Sequence, residues 1–170
     1  MILPILTQDC ETWNAKQSHY RKLEGCQYKF LRTICNKKWE HFAAYSELFD
    51  ILDHKNVQLP AVEILVRKKR LDLLYKILCM ENSRLVKRVA FSDTVEGKRG
   101  VGRPLLSWRQ AINQDLKIFG LQHIIHLDEN AQKQALKTGT TEECFLNADM
   151  NWKKLRKQKR LLRKTRNSSS

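Results

Sequence analysis

Apolar side chains recur at helical spacing along most of this chain, and no stretch alternates as a strand would. Tyr20, Leu23, Phe30, Leu31 and Ile34 fall towards one side of a helix predicted over 15–36, leaving Lys16, Arg21, Lys22, Lys29 and Arg32 to solvent. Ala44, Leu48, Ile51 and Leu52 predict a shorter helix over 43–53. Pro60 opens a third that runs to about Met80, with a broad apolar face of Val62, Leu65, Val66, Leu73, Leu74 and Ile77. Residues 84–91 add another turn or two. Pro104, with fixed φ and no N–H, suits the first position of a helix over 104–119. Leu105, Trp108, Ile112, Leu116 and Phe119 form its stripe, and Gly120 supplies its stop. From Leu121 to Glu143 the pattern weakens, and Gly139 among threonines reads as a loop. A last helix starts near Leu146 and carries Trp152 and Leu155 into the tail, while Ser168 to Ser170 read as a disordered end.

The fold class that follows is mainly α: a small helical domain of about five to six helices with a basic C-terminal tail. Residues 1–120 form the helical region, 121–145 a loop-rich connector, and 146–170 a basic helix and tail. At 170 residues one domain with a modest core is expected. Apolar runs are far short of the roughly 20 residues that span a bilayer, and no membrane partner is expected. Met1 to Leu6 is too short for a signal peptide. The 5 cysteines (10, 26, 35, 79 and 144) are scattered and contain no Cys-x-x-Cys, which argues for a reducing compartment.

Charge changes the picture more than composition does. The net charge is +14, and the stretch from Asn151 onward holds many Lys and Arg and no acid. Lys153, Lys154, Arg156, Lys157, Lys159 and Arg160 therefore read as a segment that seeks nucleic acid or directs the chain to the nucleus. Arg67, Lys68, Lys69 and Arg70 form a second basic cluster. At 100° per residue they sweep most of a helix circumference, so at least one must lie along apolar surface and reach outward. A third lies in Gly97 to Trp108, GKRGVGRPLLSW. A cationic, glycine-punctuated loop feeding a helix start places Lys98, Arg99 and Arg103 where backbone N–H groups favour an anion. Trp108 lies on the apolar stripe and reads as a core anchor.

Catalytic patterns are mostly absent. His123 and His126 stand three apart without a Cys, Asp or Glu at zinc spacing. Gly-x-Ser-x-Gly, P-loop and His-Glu-x-x-His patterns do not occur. Asp128-Glu129 and Glu142-Glu143 do not announce the carboxylate cluster that two-metal phosphoryl transfer needs. The chain reads as a binding module with no catalytic residue, metal or cofactor.

Several segments in register carry a resemblance. They are LPILTQDCETWNA from Leu3, Arg21-Lys22-Leu23-Glu24-Gly25-Cys26-Gln27, Leu31-Arg32-Thr33-Ile34, and Lys69 to Met80. Arg84 with Lys87, then Gly97-Lys98-Arg99, Gly102-Arg103-Pro104, Trp108, Asp115-Leu116 and Gly120 continue the series. Over about residues 2–120 the chain resembles the C-terminal, post-palm region of endonuclease–reverse transcriptases of non-LTR (LINE-type) retrotransposons. It departs from that pattern at Leu73, at Tyr75-Lys76 and at Gln8-Asp9. The polymerase signature Tyr/Phe-x-Asp-Asp is missing. The resemblance implies a thumb-like fragment that contacts RNA or DNA through the backbone and catalyses no polymerisation. It also implies a surface that once met the palm and could meet it, or another protein chain, again. Two alternatives stand beside it. Gly102-Arg103-Pro104 is the core of an AT-hook, which lies in narrow A·T-rich minor grooves, although Val101 occupies the place of the hook's first Arg. The other is a translated relic or protein-interaction module without selected function.

Overall fold

Helix α4 (Val62–Leu78) runs through the middle of the molecule, and the other elements pack around it. The computed structural model describes residues 3–13, 15–38, 40, 43–54, 59–91 and 107–168. In chain order the remaining helices are α1 (Leu3–Leu6), α2 (Gln17–Ile34), α3 (Tyr45–His54), α5 (Leu85–Phe91), α6 (Trp108–Ile118), α7 (Glu129–Gly139) and α8 (Glu142–Ser168). Short 3-10 turns cover Cys10–Thr12 and Gln122–His126. Among the described residues there is no strand, so the chain is mainly α, with more helices than the five to six expected.

The single apolar face predicted for α4 is corrected by its central position. Val62, Ile64, Val66, Leu71, Leu74, Ile77 and Leu78 are all buried, and they reach three different clusters. Ile64 joins Leu31, Leu48, Phe49, Leu52 and Phe145 of α2, α3 and α8. Leu71, Leu74 and Leu78 meet Ile112, Leu116, Leu121, Ile124 and Leu136. Val62 and Val66 meet Cys10, Ala15 and Tyr20. Each fully buried aliphatic side chain contributes about 1.5–3 kcal/mol, so α4 is the element that ties the clusters together. On α2 the expected face rotates. Tyr20 and Leu31 are buried, but Phe30 and Ile34 are exposed, and Glu24 and Gln27 take core positions instead.

Gln27 explains why a polar side chain can sit there. Its Oε1 accepts from the Val62 N–H at 2.9 Å and from the Tyr45 hydroxyl, and its Nε2 donates to the Pro60 carbonyl at 2.7 Å. The neighbouring Ala61 N–H donates to Asp149 Oδ1 of α8 at 2.9 Å. Two N–H groups at the start of α4, which no helical bond can satisfy, are thus capped by α2 and α8.

Three boundary expectations change. The helix predicted from Pro104 begins at Trp108, because Ser107 has extended backbone and forms a capping box with Gln110; Pro104 itself lies outside the described residues. Gly120 does stop that helix, at φ 72°. The loop-rich connector 121–145 holds a 3-10 turn and α7, anchored by the buried Ile124 and Leu136. Gly139 belongs to α7, and its glycine answers a close approach: an added Cβ would lie 2.5 Å from Leu121 Cδ2. Finally, α8 continues as helix through Ser168, where a disordered end was expected.

Candidate nucleic-acid interface

The basic run of α4 divides by burial. Arg67 donates through Nη2 to Glu63 Oε1 at 2.6 Å and through Nη1 to Asp115 Oδ1 at 2.6 Å. Arg70 donates through Nε to Asp115 Oδ2 at 2.7 Å, to the Trp13 carbonyl at 2.9 Å and to the Tyr20 hydroxyl. Both guanidiniums are buried and Asp115 is fully so. Burial pushes the Asp115 carboxyl above the usual carboxylate range, and Arg70 and Arg67 oppose that push. Arg67 and Arg70 are therefore corrected from phosphate contacts to interior counter-ions that fix α6 against α4. Lys69 donates to the Thr7 carbonyl at 2.9 Å and to its hydroxyl at 3.2 Å. Half-buried Lys68 lies with Nζ 4.9 Å from the centre of the Phe145 ring. Neither extends freely into solvent as a phosphate contact would.

The basic run of α8 behaves differently. Arg156 pairs with the buried Glu24 and lies 4.8 Å from the centre of the Trp152 ring. Burial pushes the Glu24 carboxyl up, against the pull of Arg156. Lys153 pairs with Asp149 at 3.0 Å and donates to the Leu59 carbonyl at 3.2 Å. Lys157 reaches Asp50 at 3.0 Å and Arg160 reaches Glu47 at 2.8 Å, both on α3. The predicted tail is thus a helix about 40 Å long whose one side is strapped to α2 and α3 by ion pairs. Lys154 and Lys159 are exposed, and neither has a partner among the described residues. Lys98, Arg99 and Arg103, with the AT-hook-like Gly102-Arg103-Pro104, lie outside the described residues.

A groove of about 980 Å³ opens where α2, α6 and α8 meet. Arg21 enters it from α2, Lys117 from α6, and Arg156 and Lys159 from α8, with Gln17 and Asn151 adding neutral polar groups. The acid in its lining, Glu63, is buried and already accepts from Arg67 and from the Trp152 indole N–H at 3.3 Å. Arg21, Lys117 and Lys159 are exposed and unpaired among the described residues. In the sequence Arg21 is a solvent-facing residue of α2 and part of the Arg21-Lys22-Leu23-Glu24 segment, and Lys117 carries no distinguishing mark. No local signal marks either, because three helices far apart in sequence create the convergence. Trp108 is a packing residue, as its stripe position implied: it lies against the cluster around Leu71 and Ile112, and its indole donates to the Glu11 carbonyl at 3.2 Å.

Chemically, such a groove can hold a polyanion. Among the described residues no group of three His, Cys, Asp or Glu side chains converges as a metal site would require, and no helix is long and apolar enough to cross a membrane. The chain matches no protein-family model, no curated protein and no solved structure.

Proposed function

We propose that this chain is a nucleic-acid-binding fragment derived from the post-palm region of a non-LTR retrotransposon reverse transcriptase, and that it holds RNA or DNA through the phosphate backbone without catalysing a reaction. The observation that carries the binding part is the groove in which Arg21, Lys117 and Lys159 converge from three helices beside a buried, satisfied acid. The ordered series of motifs from Leu3 to Gly120 supports the origin. A net charge of +14 supplies long-range attraction for the same ligand and is compatible with a nuclear location. Fluorescence anisotropy with labelled DNA and RNA oligonucleotides of unrelated sequence tests the reading. Affinity should fall linearly with salt on logarithmic axes, by about 0.7–0.9 in slope per phosphate neutralised, and should differ little between sequences. Binding that ignores salt, or no binding at all, would count against it.

A second reading, contact with another protein, is favoured by α5. Its Leu85, Val86 and Val89 are exposed at 71%, 53% and 66%, more apolar surface than a short helix ordinarily leaves in water. Co-expression with a palm-containing polymerase fragment, followed by co-purification, tests that reading. Loss of capture in a Leu85→Glu variant is the expected result, and capture by neither form would contradict it.

A further inference from the structure

On the flank of α2 opposite the groove lies an open recess of about 470 Å³, lined by Trp13, Ala15, His19, Lys22, Leu23 and Cys26. That volume falls within the roughly 300–1,000 Å³ in which proteins seat small ligands. Its chemistry is mixed: apolar Ala15, Leu23 and Cys26 with the Trp13 indole, the cation Lys22, and His19, whose Nδ1 accepts from the Lys16 N–H at 3.4 Å. The backbone of Trp13 is held in place. The Trp13 carbonyl accepts from the buried Arg70 at 2.9 Å and its N–H donates to the Cys10 carbonyl at 3.2 Å, so the residue is clamped to the core while its side chain faces the recess.

Trp13 is partly buried against Cys10, Ala15, Tyr20, Val62 and Val66, and its remaining surface lines the recess. Trp152 has Arg156 over its ring, Tyr45 edge-on and its N–H on Glu63. Trp108 is partly buried against the cluster around Leu71 and Ile112, with its indole N–H on the Glu11 carbonyl. Between recess and groove the outer surface of α2 carries Ser18, Arg21, Lys22, Gly25 and Lys29, all exposed. A side chain added at Gly25 would meet nothing within 4 Å, so the surface there is open to close approach. The helix's acid, Glu24, is buried and paired with Arg156. Arg21 and Lys22 are adjacent in sequence and so point about 100° apart around the helix, one towards the groove and the other towards the recess. A helix is about 10–12 Å across, a distance that a few nucleotides of extended strand can cover.

We infer that the Trp13 recess receives an unstacked base of a single strand whose backbone crosses α2 from the Arg21–Lys117–Lys159 groove. This rests on the nucleic-acid reading above and narrows it from polyanion to single-stranded nucleic acid. The indole supplies a stacking surface that any base can use, the apolar lining replaces the base's lost neighbour, and Lys22 meets the flanking phosphate. A continuous duplex keeps its bases stacked inside and gains nothing from the indole.

The test compares a fluorescein-labelled twelve-nucleotide oligothymidine with a twelve-base-pair duplex on the full chain. Trp13→Ala should weaken oligothymidine binding about 10-fold while leaving duplex binding and the salt slope unchanged. Trp13→Phe, which keeps a ring, should restore most of the loss and abolish any quenching of indole fluorescence that comes from this position. Cys26→Phe fills the recess from an exposed position of α2 and should reproduce the selective loss while Trp13 itself is kept. Equal losses on both ligands, or no loss from either Trp13→Ala or Cys26→Phe, would overturn the recess while leaving backbone binding intact. Absence of binding to both ligands by the unmodified chain would overturn the broader reading together with it.

Discussion

The cations of α4 and those of α8 meet their counter-charges in different surroundings. Arg67 and Arg70 share Asp115 in the interior, where removing one charge strands the others without water. Lys157 and Arg160 meet Asp50 and Glu47 at the surface, where water competes for every bond and an ion pair contributes little. The first arrangement fixes geometry and is closed to solvent. The second can exchange its partners for phosphate oxygens at small cost. A run of basic residues is thus two different devices, and what separates them is whether an acid faces it across a packed interface.

The sharpest way to break this contrast is at Asp115. Asp115→Ala leaves two buried guanidiniums short of their shared acid and should cost about 3–5 kcal/mol, read as a lower denaturation midpoint in urea. A loss below about 1 kcal/mol would mean that these charges are hydrated, and the contrast between α4 and α8 would dissolve. Arg156→Ala stands between the two extremes, because Glu24 is buried while Arg156 is partly exposed. It should cost about 1–3 kcal/mol. Since burial already holds the Glu24 pKa above its usual value, removing Arg156 raises it further. A carboxyl whose folded pKa is raised costs stability as pH climbs through that range, so the loss should be larger at neutral pH than in mild acid. Equal losses at both pH values would show that Glu24 does not feel Arg156.

At the surface end, Lys157→Ala and Arg160→Ala should each change stability by about 0–1 kcal/mol, with the effect fading in added salt. A large loss would make the α8 strap a structural pair like that of α4. A pH-dependent case is Glu129, exposed between Lys133 and the buried Lys87. Hydrogen bonds from Lys133 and Lys87 lower its pKa from 4.5 to about 2. Its contribution is therefore present above about pH 4.5 and lost as pH falls towards 2. Glu129→Gln should lower the thermal midpoint slightly at neutral pH and not at all near pH 2. A shift of the same size at both ends would remove charge from the explanation.

Most helices were legible because a helix depends on local spacing: α2, α3, α4, α5 and the body of α6 lie close to where their apolar residues recur, whereas α7 lies in the stretch read as a loop-rich connector. What neighbours decide was not legible. The all-round burial of α4 and the close packing of Gly139 on Leu121 depend on elements distant in sequence. The interior fate of Arg67 and Arg70 had one local clue. Asp115 sits three residues after Ile112 on the same stripe of α6, and an acid on an apolar stripe requires a buried cation opposite. Glu63, one turn before Arg67, was the second. The groove had no such clue, because Arg21, Lys117 and Lys159 look like ordinary surface cations until three helices bring them together.

The most direct measurement of the contrast is the salt dependence of nucleic-acid affinity in two variants, one that removes three cations of the groove and one that removes two of α4. Arg21→Ala/Lys117→Ala/Lys159→Ala should flatten the slope of log affinity against log salt by about 2–3 and leave the urea midpoint nearly unchanged. Lys68→Ala/Lys69→Ala should leave the slope within about half a unit of the unmodified chain, because those amines lie against Phe145 and Thr7. The reverse result, a slope altered by the α4 lysines and indifferent to the groove, would contradict the assignment of the interface to α2, α6 and α8.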